Sequence, residues 1–188
     1  KRINPKVVFV VVGYGNLPFI DACQQLAIPV AELQHGTSVG RFHLGYSFPL
    51  ESLDKVTFSN YLVVFGDFWR NRGSYPISSD CVVSVGFPFF ERESEKYSSV
   101  QDPESILFIS QGSIGRELSK FACELAARDD INGKVVLKLH PGEYQKWVDD
   151  YPWLLNSNVD VISDDSTPLY ALLSQAKFLI GVYSTVVY

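Results

Sequence analysis

Short apolar runs rich in Val, Ile and Leu recur along the chain, and they constrain its fold more than any other feature. Several of these runs are apolar at every position, which is typical of parallel strands with helices on both faces of their sheet. Each run is bounded by Gly, Pro or polar residues. We predict strands at residues 6–13, 30–34, 61–66, 81–87, 105–111, 134–140, 159–163 and 177–183.

Segments with helical periodicity separate the predicted strands. The clearest begins at Gly115, where Leu118, Phe121, Ala122 and Leu125 fall on one apolar stripe. The alternation of strands and helices predicts an α/β fold with parallel sheets and right-handed crossovers. We predict helices at residues 16–27, 115–130, 143–150 and 167–176, the last with Thr167 as N-cap and Pro168 as its first helical residue.

One charged, Ser-rich segment with two prolines, residues 87–105, interrupts this alternation. Such a composition is typical of a connection between domains. We predict a linker at residues 91–102, which joins a first lobe at residues 1–90 to a second lobe at residues 103–188.

The charge of the chain argues against general nucleic-acid binding. Its formal net charge is −5, and no run of Lys and Arg is available to displace counterions from a phosphate backbone or to hold an anionic membrane by charge alone. The three cysteines are far apart, so the sequence predicts neither a zinc site nor a disulfide framework.

The sequence shows no long apolar span and no signal-peptide pattern, and we expect a cytoplasmic protein. It contains 0 Met and begins at Lys1, and its last residues read as the start of a helix. These features predict a piece of a longer protein.

Ligands of open parallel sheets bind beyond the carboxyl ends of the strands, so the residues there are the candidates for a site. Gln111, Gly112 and Ser113 lie between a predicted strand and a predicted helix. Free backbone N–H groups and the helix dipole favour a phosphate there, and a simple glycine turn is the alternative. Ser184 and Thr185 follow the last predicted strand. They are candidates for phosphate ligands, and a plain helix N-cap is the alternative.

The sequence KLHPGE places His140 and Pro141 at the end of another predicted strand, with Glu143 opening the next helix. An imidazole there can bind a phosphate or a ribose, or neutralise a leaving diphosphate. The alternative is a histidine whose hydrogen bonds are satisfied within the turn. Asp164 and Asp165 lack a third ligand nearby, so we assign them to helix capping and solvation and predict no metal site.

A second histidine, His35, follows the strand that contains Glu32. A carboxylate beside a histidine suits general-base chemistry. The alternative is that Glu32 only hydrogen-bonds the loop. Gly36, Thr37 and His43 extend the same loop, with His43 at its rim.

Taken in order, ELQHGT with the later His43 and Tyr46, then KLHP, then PLYALLSQAKFLIGVYSTVVY resemble bacterial transferases of the GT-B fold. These enzymes make capsules, teichoic acids and other surface polymers, and they include CDP-glycerol glycerophosphotransferase-like and sialyl- or polysialyltransferase-like enzymes. The resemblance implies two Rossmann-like lobes, truncated here, with the active site between them. It implies that His140, Pro141, Ser184 and Thr185 hold the donor, and that His35 lies near the reacting centre with Glu32 as candidate base.

The function implied by the resemblance is transfer of a sugar or polyol phosphate from a nucleotide-activated donor to a cell-surface glycan. The donor is a substrate, and no cofactor is expected. The full-length protein is expected to associate peripherally with the inner face of the membrane. A nucleotide-sugar epimerase of the same fold and a non-catalytic nucleotide- or sugar-binding domain are the alternatives. The central spatial expectation is that His35 and His140 face one cleft.

Overall fold

The computed structural model describes residues 3–37, 39–40, 43, 45–49, 51–52, 56–98 and 104–182. The chain divides into two compact units, residues 1–88 and residues 89–188. Each unit contains one four-stranded parallel sheet. This is the α/β architecture that the strand pattern predicts.

The first unit has the strand order β1-β2-β3-β4. Its register pairs Val8 with Val30 and Leu62 with Val82, among other residues, and all three strand pairings are parallel. Its elements in chain order are β1 (Val8–Val11), α1 (Leu17–Gln25), β2 (Val30–Leu33), β3 (Tyr61–Val64), α2 (Asp67–Arg70) and β4 (Val82–Ser84).

Helix α1 covers one face of the first sheet. Ile20 and Cys23 of α1 are buried in a cluster with Val10 and Val30 of the sheet. Successive side chains of a strand point to opposite faces, and Phe9 and Val11 of β1 are accordingly exposed at 62% and 47%. Strand β1 therefore departs from the prediction of strands buried on both faces, whereas Val30, Ala31 and Glu32 of β2 are all buried.

The second unit has the strand order β7-β6-β5-β8, also parallel throughout. The order runs outward from β5 to β7 on one side and returns to β8 on the other, so the switch point lies between β5 and β8. Its elements are α3 (Pro88–Lys96, starting at the end of the first unit), β5 (Ser105–Ile109), α4 (Gly115–Ala126), β6 (Val135–Lys138), α5 (Trp147–Asp150), β7 (Asp160–Ile162), α6 (Leu169–Ser174) and β8 (Ala176–Gly181).

Both faces of the second sheet carry a core. Leu118 and Ala122 of α4 pack with Phe108 and Leu137 on one face. On the other face Leu172 of α6 packs with the alternate strand residues, such as Leu107 and Val136. Every residue of β6 is buried, which confirms the expectation for strands that are apolar on both faces.

Each of the four predicted helices is shorter than predicted, and the starts of α5 and α6 shift by more than one residue. Helix α5 begins at Trp147, because Pro141–Glu143 forms a separate 3-10 turn, so Glu143 does not open the helix. Helix α6 begins at Leu169, and Pro168, with an extended ψ of 138°, is its N-cap in place of Thr167. Both differences occur at prolines, Pro141 and Pro168. A proline fixes φ, but its ψ depends on the surrounding structure, so the first helical residue is hard to predict there.

Helix α3 occupies the first part of the predicted linker at residues 91–102. Glu, Arg and Lys favour helix, and the ring of Tyr170 lies 5.7 Å from that of Phe89 and 6.1 Å from that of Phe90. Ser99 to Pro103 lie outside the described residues. Among the helices of the described ranges, none is long and apolar enough to cross a bilayer.

Candidate functional site

A cavity of about 370 Å³ opens at the carboxyl edge of the second sheet. Residues that follow β5, β6 and β7 form its wall, which is where parallel sheets bind ligands. The lining comprises Ile109, Ser110, Gln111, Lys138, Leu139, His140, Pro141, Tyr144, Asp165, Thr167, Pro168 and Leu169. Three residues that the sequence singled out for the donor, Gln111, His140 and Pro141, therefore lie in one wall.

His140 is exposed and stands at the N-cap of the turn Pro141–Glu143. Its Nδ1 accepts a hydrogen bond of 3.1 Å from the backbone N–H of Gly142. A ring nitrogen that accepts a hydrogen bond carries no proton, so the proton of this imidazole is on Nε2. His140 thus offers an N–H donor at the cavity.

Glu143 is only 3% exposed and accepts hydrogen bonds from three directions. Its Oε2 accepts from the backbone N–H of His140 at 2.8 Å, which completes a capping box. Its Oε1 accepts from the hydroxyls of Ser110 at 3.1 Å and Tyr151 at 2.6 Å. Burial, together with this hydrogen bond and the charge of Glu143, raises the pKa of Tyr151, so its hydroxyl stays a donor.

Lys138 supplies a cation to the cavity wall although the residue is only 8% exposed. Its Nζ donates to the hydroxyl of Tyr144 and to the carbonyl of Asp164, and it lies 3.4 Å from Oδ1 of Asp165. Tyr144 also donates to Asp165 at 2.7 Å. The hydrogen bond from Tyr144, with those of Lys138, holds the pKa of Asp165 below its usual range.

The turn after β5 contains Gln111, Gly112 and Ser113, immediately before α4. Gln111 is partly buried, whereas Gly112 and Ser113 are exposed. Among the described residues no atom lies within 4 Å of a Cβ added at Gly112, so their packing does not require glycine there. The placement between strand and helix is the predicted one.

In the first unit His35 is exposed beyond the carboxyl end of β2. Its neighbour Gln34 is 6% exposed and holds the loop. Gln34 donates to the carbonyl of Gly36 at 2.8 Å and accepts from the backbone N–H of Phe65 at 2.8 Å. Gly36 is buried and Thr37 is partly buried in the same turn.

Glu32 is 1% exposed, and its carboxylate binds other parts of the first unit. It accepts from the backbone N–H of Gly13 at 2.7 Å and from the hydroxyl of Tyr46 at 2.5 Å. The Ser59 hydroxyl lies 3.4 Å away. These contacts favour the alternative in which Glu32 holds loops, because a general base must reach its substrate.

His43 packs beside two tyrosines at the same edge of the first sheet. Its ring centroid lies 4.8 Å from that of Tyr14 and 5.5 Å from that of Tyr46. Its Nδ1 accepts from the backbone N–H of Gly45 at 3.0 Å. Tyr14 is exposed, so this ring cluster is accessible on one side.

Two of the donor residues suggested by the sequence, Ser184 and Thr185, lie outside the described residues. The expectation that His35 and His140 face one cleft stays a prediction. Asp164 accepts from the backbone and hydroxyl of Ser166, whereas Asp165 contacts Lys138 and Tyr144 and does not serve as a helix cap.

Sequence reasoning placed Lys138, Glu143 and Gln34 at predicted strand ends but gave none of them a role in binding or in holding the loops. A local signal existed for Glu143, because a Glu three residues after an N-cap is the capping-box spacing. Gln34 and Lys138 gave no such signal, since their partners Phe65 and Asp165 are distant in sequence.

Neither a protein-family model nor a curated protein matches the chain. Among solved structures it is similar to UDP-N-acetylglucosamine 2-epimerase from Rickettsia bellii, with a TM-score of 0.58 and 11% sequence identity. The match covers 94% of this chain and 51% of that chain, so this chain spans about half the length of that protein. The fold is of the GT-B type. At this identity the likeness concerns the two Rossmann-like lobes and not the activity.

Proposed function

We propose that this chain belongs to a nucleotide-sugar-dependent enzyme whose second unit binds the diphosphate of a nucleotide-activated donor. The observation that carries the proposal is the cavity at the carboxyl edge of the second sheet, with the Nε2–H of His140 and the cation of Lys138 in its wall. An N–H donor and an ammonium group suit phosphate oxygens. Gln111 to Ser113, Pro141, Ser184 and Thr185 complete the proposed donor site.

The leading reaction is transfer of a sugar or polyol phosphate to a surface glycan. The acceptor hydroxyl attacks the transferred group, the bond from that group to the nucleotide breaks, and the nucleotide leaves with the bonding electrons. His35 takes the proton of the hydroxyl, and Gly36, Thr37 and His43 form the acceptor-side loop. Glu32, suggested by the sequence as a helper of His35, supports these loops from within the fold.

An epimerase is the second candidate, and the similar solved structure favours it. That protein is a UDP-N-acetylglucosamine 2-epimerase. An epimerase acts on its nucleotide-sugar without any acceptor, whereas a transferase needs one. A non-catalytic nucleotide-binding domain would bind without turnover.

The first experiment measures binding of CMP, CDP, UDP and GDP to the complete protein by calorimetry and thermal shift, since a specific ligand stabilises the folded state. His140→Ala should weaken binding of the preferred nucleotide by about tenfold, because one charge-assisted hydrogen bond is lost. The control is His43→Ala, which removes a partly buried histidine of the first unit whose Nδ1 also accepts a backbone N–H, and which should leave nucleotide binding unchanged.

Turnover then separates the candidates. The matching nucleotide-activated donor is incubated with the complete protein, with and without a glycan acceptor, and its sugar is followed by NMR. Product that requires the acceptor supports the transferase. A changed sugar configuration without acceptor supports the epimerase. Undiminished nucleotide binding by His140→Ala would remove the assignment of the donor site.

A further inference from the structure

The turn that presents His140 is fixed by a side chain that does not itself line the cavity. Oε2 of Glu143 holds the backbone N–H of His140, while Oε1 is bound to Ser110 and Tyr151. Ser110 follows β5, and Tyr151 follows α5. One buried carboxylate thus ties the turn to two other segments of the second unit.

This anchoring has a consequence for the imidazole. The Gly142 N–H reaches Nδ1 of His140 only while the turn keeps its shape, and the capping box is what closes the turn. With Nδ1 occupied as an acceptor, the proton is confined to Nε2. A freed turn would let the ring exchange its proton between the two nitrogens.

We propose that Glu143 is a positioning residue that fixes His140 as an Nε2–H donor toward a hydrogen-bond acceptor on the ligand. The identity of that acceptor, a phosphate oxygen of a nucleotide-activated donor, rests on the proposed function. The role of Glu143 in holding the turn and the tautomer does not depend on it.

The Glu143→Gln variant distinguishes a hydrogen-bond role from a charge role. The glutamine carbonyl can accept from the His140 N–H, and its amide can donate to the hydroxyl oxygens of Ser110 and Tyr151, which are able to turn. Glu143→Ala removes every one of these bonds. The proposal therefore expects Gln to preserve the tautomer of His140 and Ala to release it.

The chain has 3 His, so ¹⁵N-histidine labelling gives a spectrum that can be assigned by single replacements. Long-range ¹H–¹⁵N spectra at about pH 8, above the ordinary titration range of imidazole, distinguish a protonated from a bare ring nitrogen. In the wild-type protein His140 should show bare Nδ1 and protonated Nε2. In Glu143→Ala the ¹⁵N chemical shifts of Nδ1 and Nε2 of His140 should move toward each other, because the proton exchanges between the two nitrogens. In Glu143→Gln both chemical shifts should remain at their wild-type values.

Two controls accompany this comparison. His43 has the same Nδ1 acceptor arrangement in the first unit, and its signals should not move in any Glu143 variant. Tyr151→Phe removes one donor to Oε1 but leaves the Oε2 bond to His140, so it should retain the wild-type His140 signals.

Nucleotide affinity gives the functional readout. Glu143→Ala should weaken CDP or UDP binding by about tenfold, and Glu143→Gln should stay within about threefold, since only the first loses the turn. If wild-type protein binds no nucleotide, the proposed function fails while the NMR comparison still decides the role of Glu143.

An unchanged His140 spectrum in Glu143→Ala, or a protonated Nδ1 in the wild-type protein, would overturn the inference. So would a Glu143→Gln variant that releases His140 as fully as Ala does. Should Glu143→Ala fail to fold, Glu143→Leu replaces it: its side chain keeps most of the volume but offers no hydrogen-bond acceptor to the His140 N–H. Released His140 signals in that variant support the proposal, and wild-type signals contradict it.

Discussion

Gly115, the first residue of α4, lies directly against the carboxylate of Glu143. A Cβ added at Gly115 would overlap Oε1 of Glu143 and the hydroxyl of Tyr151, and it would lie 3.0 Å from Oγ of Ser110. Gly13 lies against the carboxylate of Glu32 in the same way. In each unit one glycine leaves the space that a buried glutamate fills.

Gly115→Ala should therefore destabilise the protein although alanine is the better helix former. The methyl group displaces a buried, hydrogen-bonded carboxylate, and we expect a loss of about 2–4 kcal/mol in the free energy of unfolding. Urea denaturation followed by circular dichroism measures it. Gly112→Ala is the matched control, because no atom in the described part of the chain lies within 4 Å of its Cβ, and it should change stability by less than about 0.5 kcal/mol. Equal effects of the two variants would contradict this account.

Tyr46 and Tyr151 should make the protein sensitive to alkali. Burial, with the hydrogen bonds to Glu32 and Glu143, raises the pKa of both hydroxyls in the folded state. The unfolded chain loses these protons near pH 10 and the folded chain keeps them, so stability is complete below about pH 10 and falls above it. Each tyrosine should contribute about 1.4 kcal/mol of loss per pH unit.

Urea midpoints between about pH 8 and 11 measure this dependence. Tyr151→Phe should be less stable at the lower pH by about 1–2 kcal/mol, yet its stability should fall less steeply with pH than that of the wild type. Tyr61→Phe, at a strand position 43% exposed, is the control for general effects of losing a phenol. Parallel curves for wild type and Tyr151→Phe would show that Tyr151 has no such role.

The elements predicted most reliably are those that a local pattern of apolar residues determines. The buried strands β5 and β6 and the stripe of α4 follow from runs of apolar residues, and they were found at the predicted places. The start of α6 differs from the prediction because both Thr167 and Pro168 are plausible residues for a helix start. Helix α3 is not predicted, because the Ser and Pro residues of its segment indicate a linker although its Glu, Arg and Lys residues favour helix. The positions of the candidate loops are also predicted correctly, because each loop begins where a predicted strand ends.

The roles of the acidic residues could not be predicted, because they depend on distant partners. Glu32 and His35 are close in sequence, but three residues along an extended chain turn two side chains to opposite faces. The structure leaves His35 exposed and buries Glu32 with Tyr46, a residue from a later loop. The contact of Glu143 with Ser110 spans 33 positions, beyond any local pattern.

Gln34 should control the order of the loop that carries His35. Gln34→Ala leaves the Phe65 N–H and the Gly36 carbonyl without their partner, and we expect about 1–3 kcal/mol of destabilisation, because one partly buried and one buried hydrogen bond are lost. Amide hydrogen exchange at Phe65 should quicken. Gln25→Ala, which removes only an exposed contact with Asp21, should leave that exchange unchanged. Unaltered exchange at Phe65 in Gln34→Ala would refute the role of this side chain.

Lys138 should contribute charge to phosphate binding at the second sheet. Lys138→Met keeps most of the side-chain volume and removes the ammonium group from the cavity wall. We expect CDP or UDP affinity to fall by about three- to tenfold through the lost positive charge, because the N–H groups of Lys138 already donate to Tyr144, Asp164 and Asp165. Affinity for the corresponding nucleoside should stay unchanged. The salt dependence of nucleotide binding should also weaken.

Lys134→Met is the matched control for this prediction. Lys134 immediately precedes β6, at the end opposite Lys138, and pairs with Asp160 with its side chain 67% exposed. Both variants change the net charge equally, but only Lys138 lies in the cavity wall. Both variants are titrated calorimetrically with nucleotide and with nucleoside. A general effect of net charge would lower nucleotide affinity equally in the two variants, whereas a local effect at the cavity would lower it only in Lys138→Met.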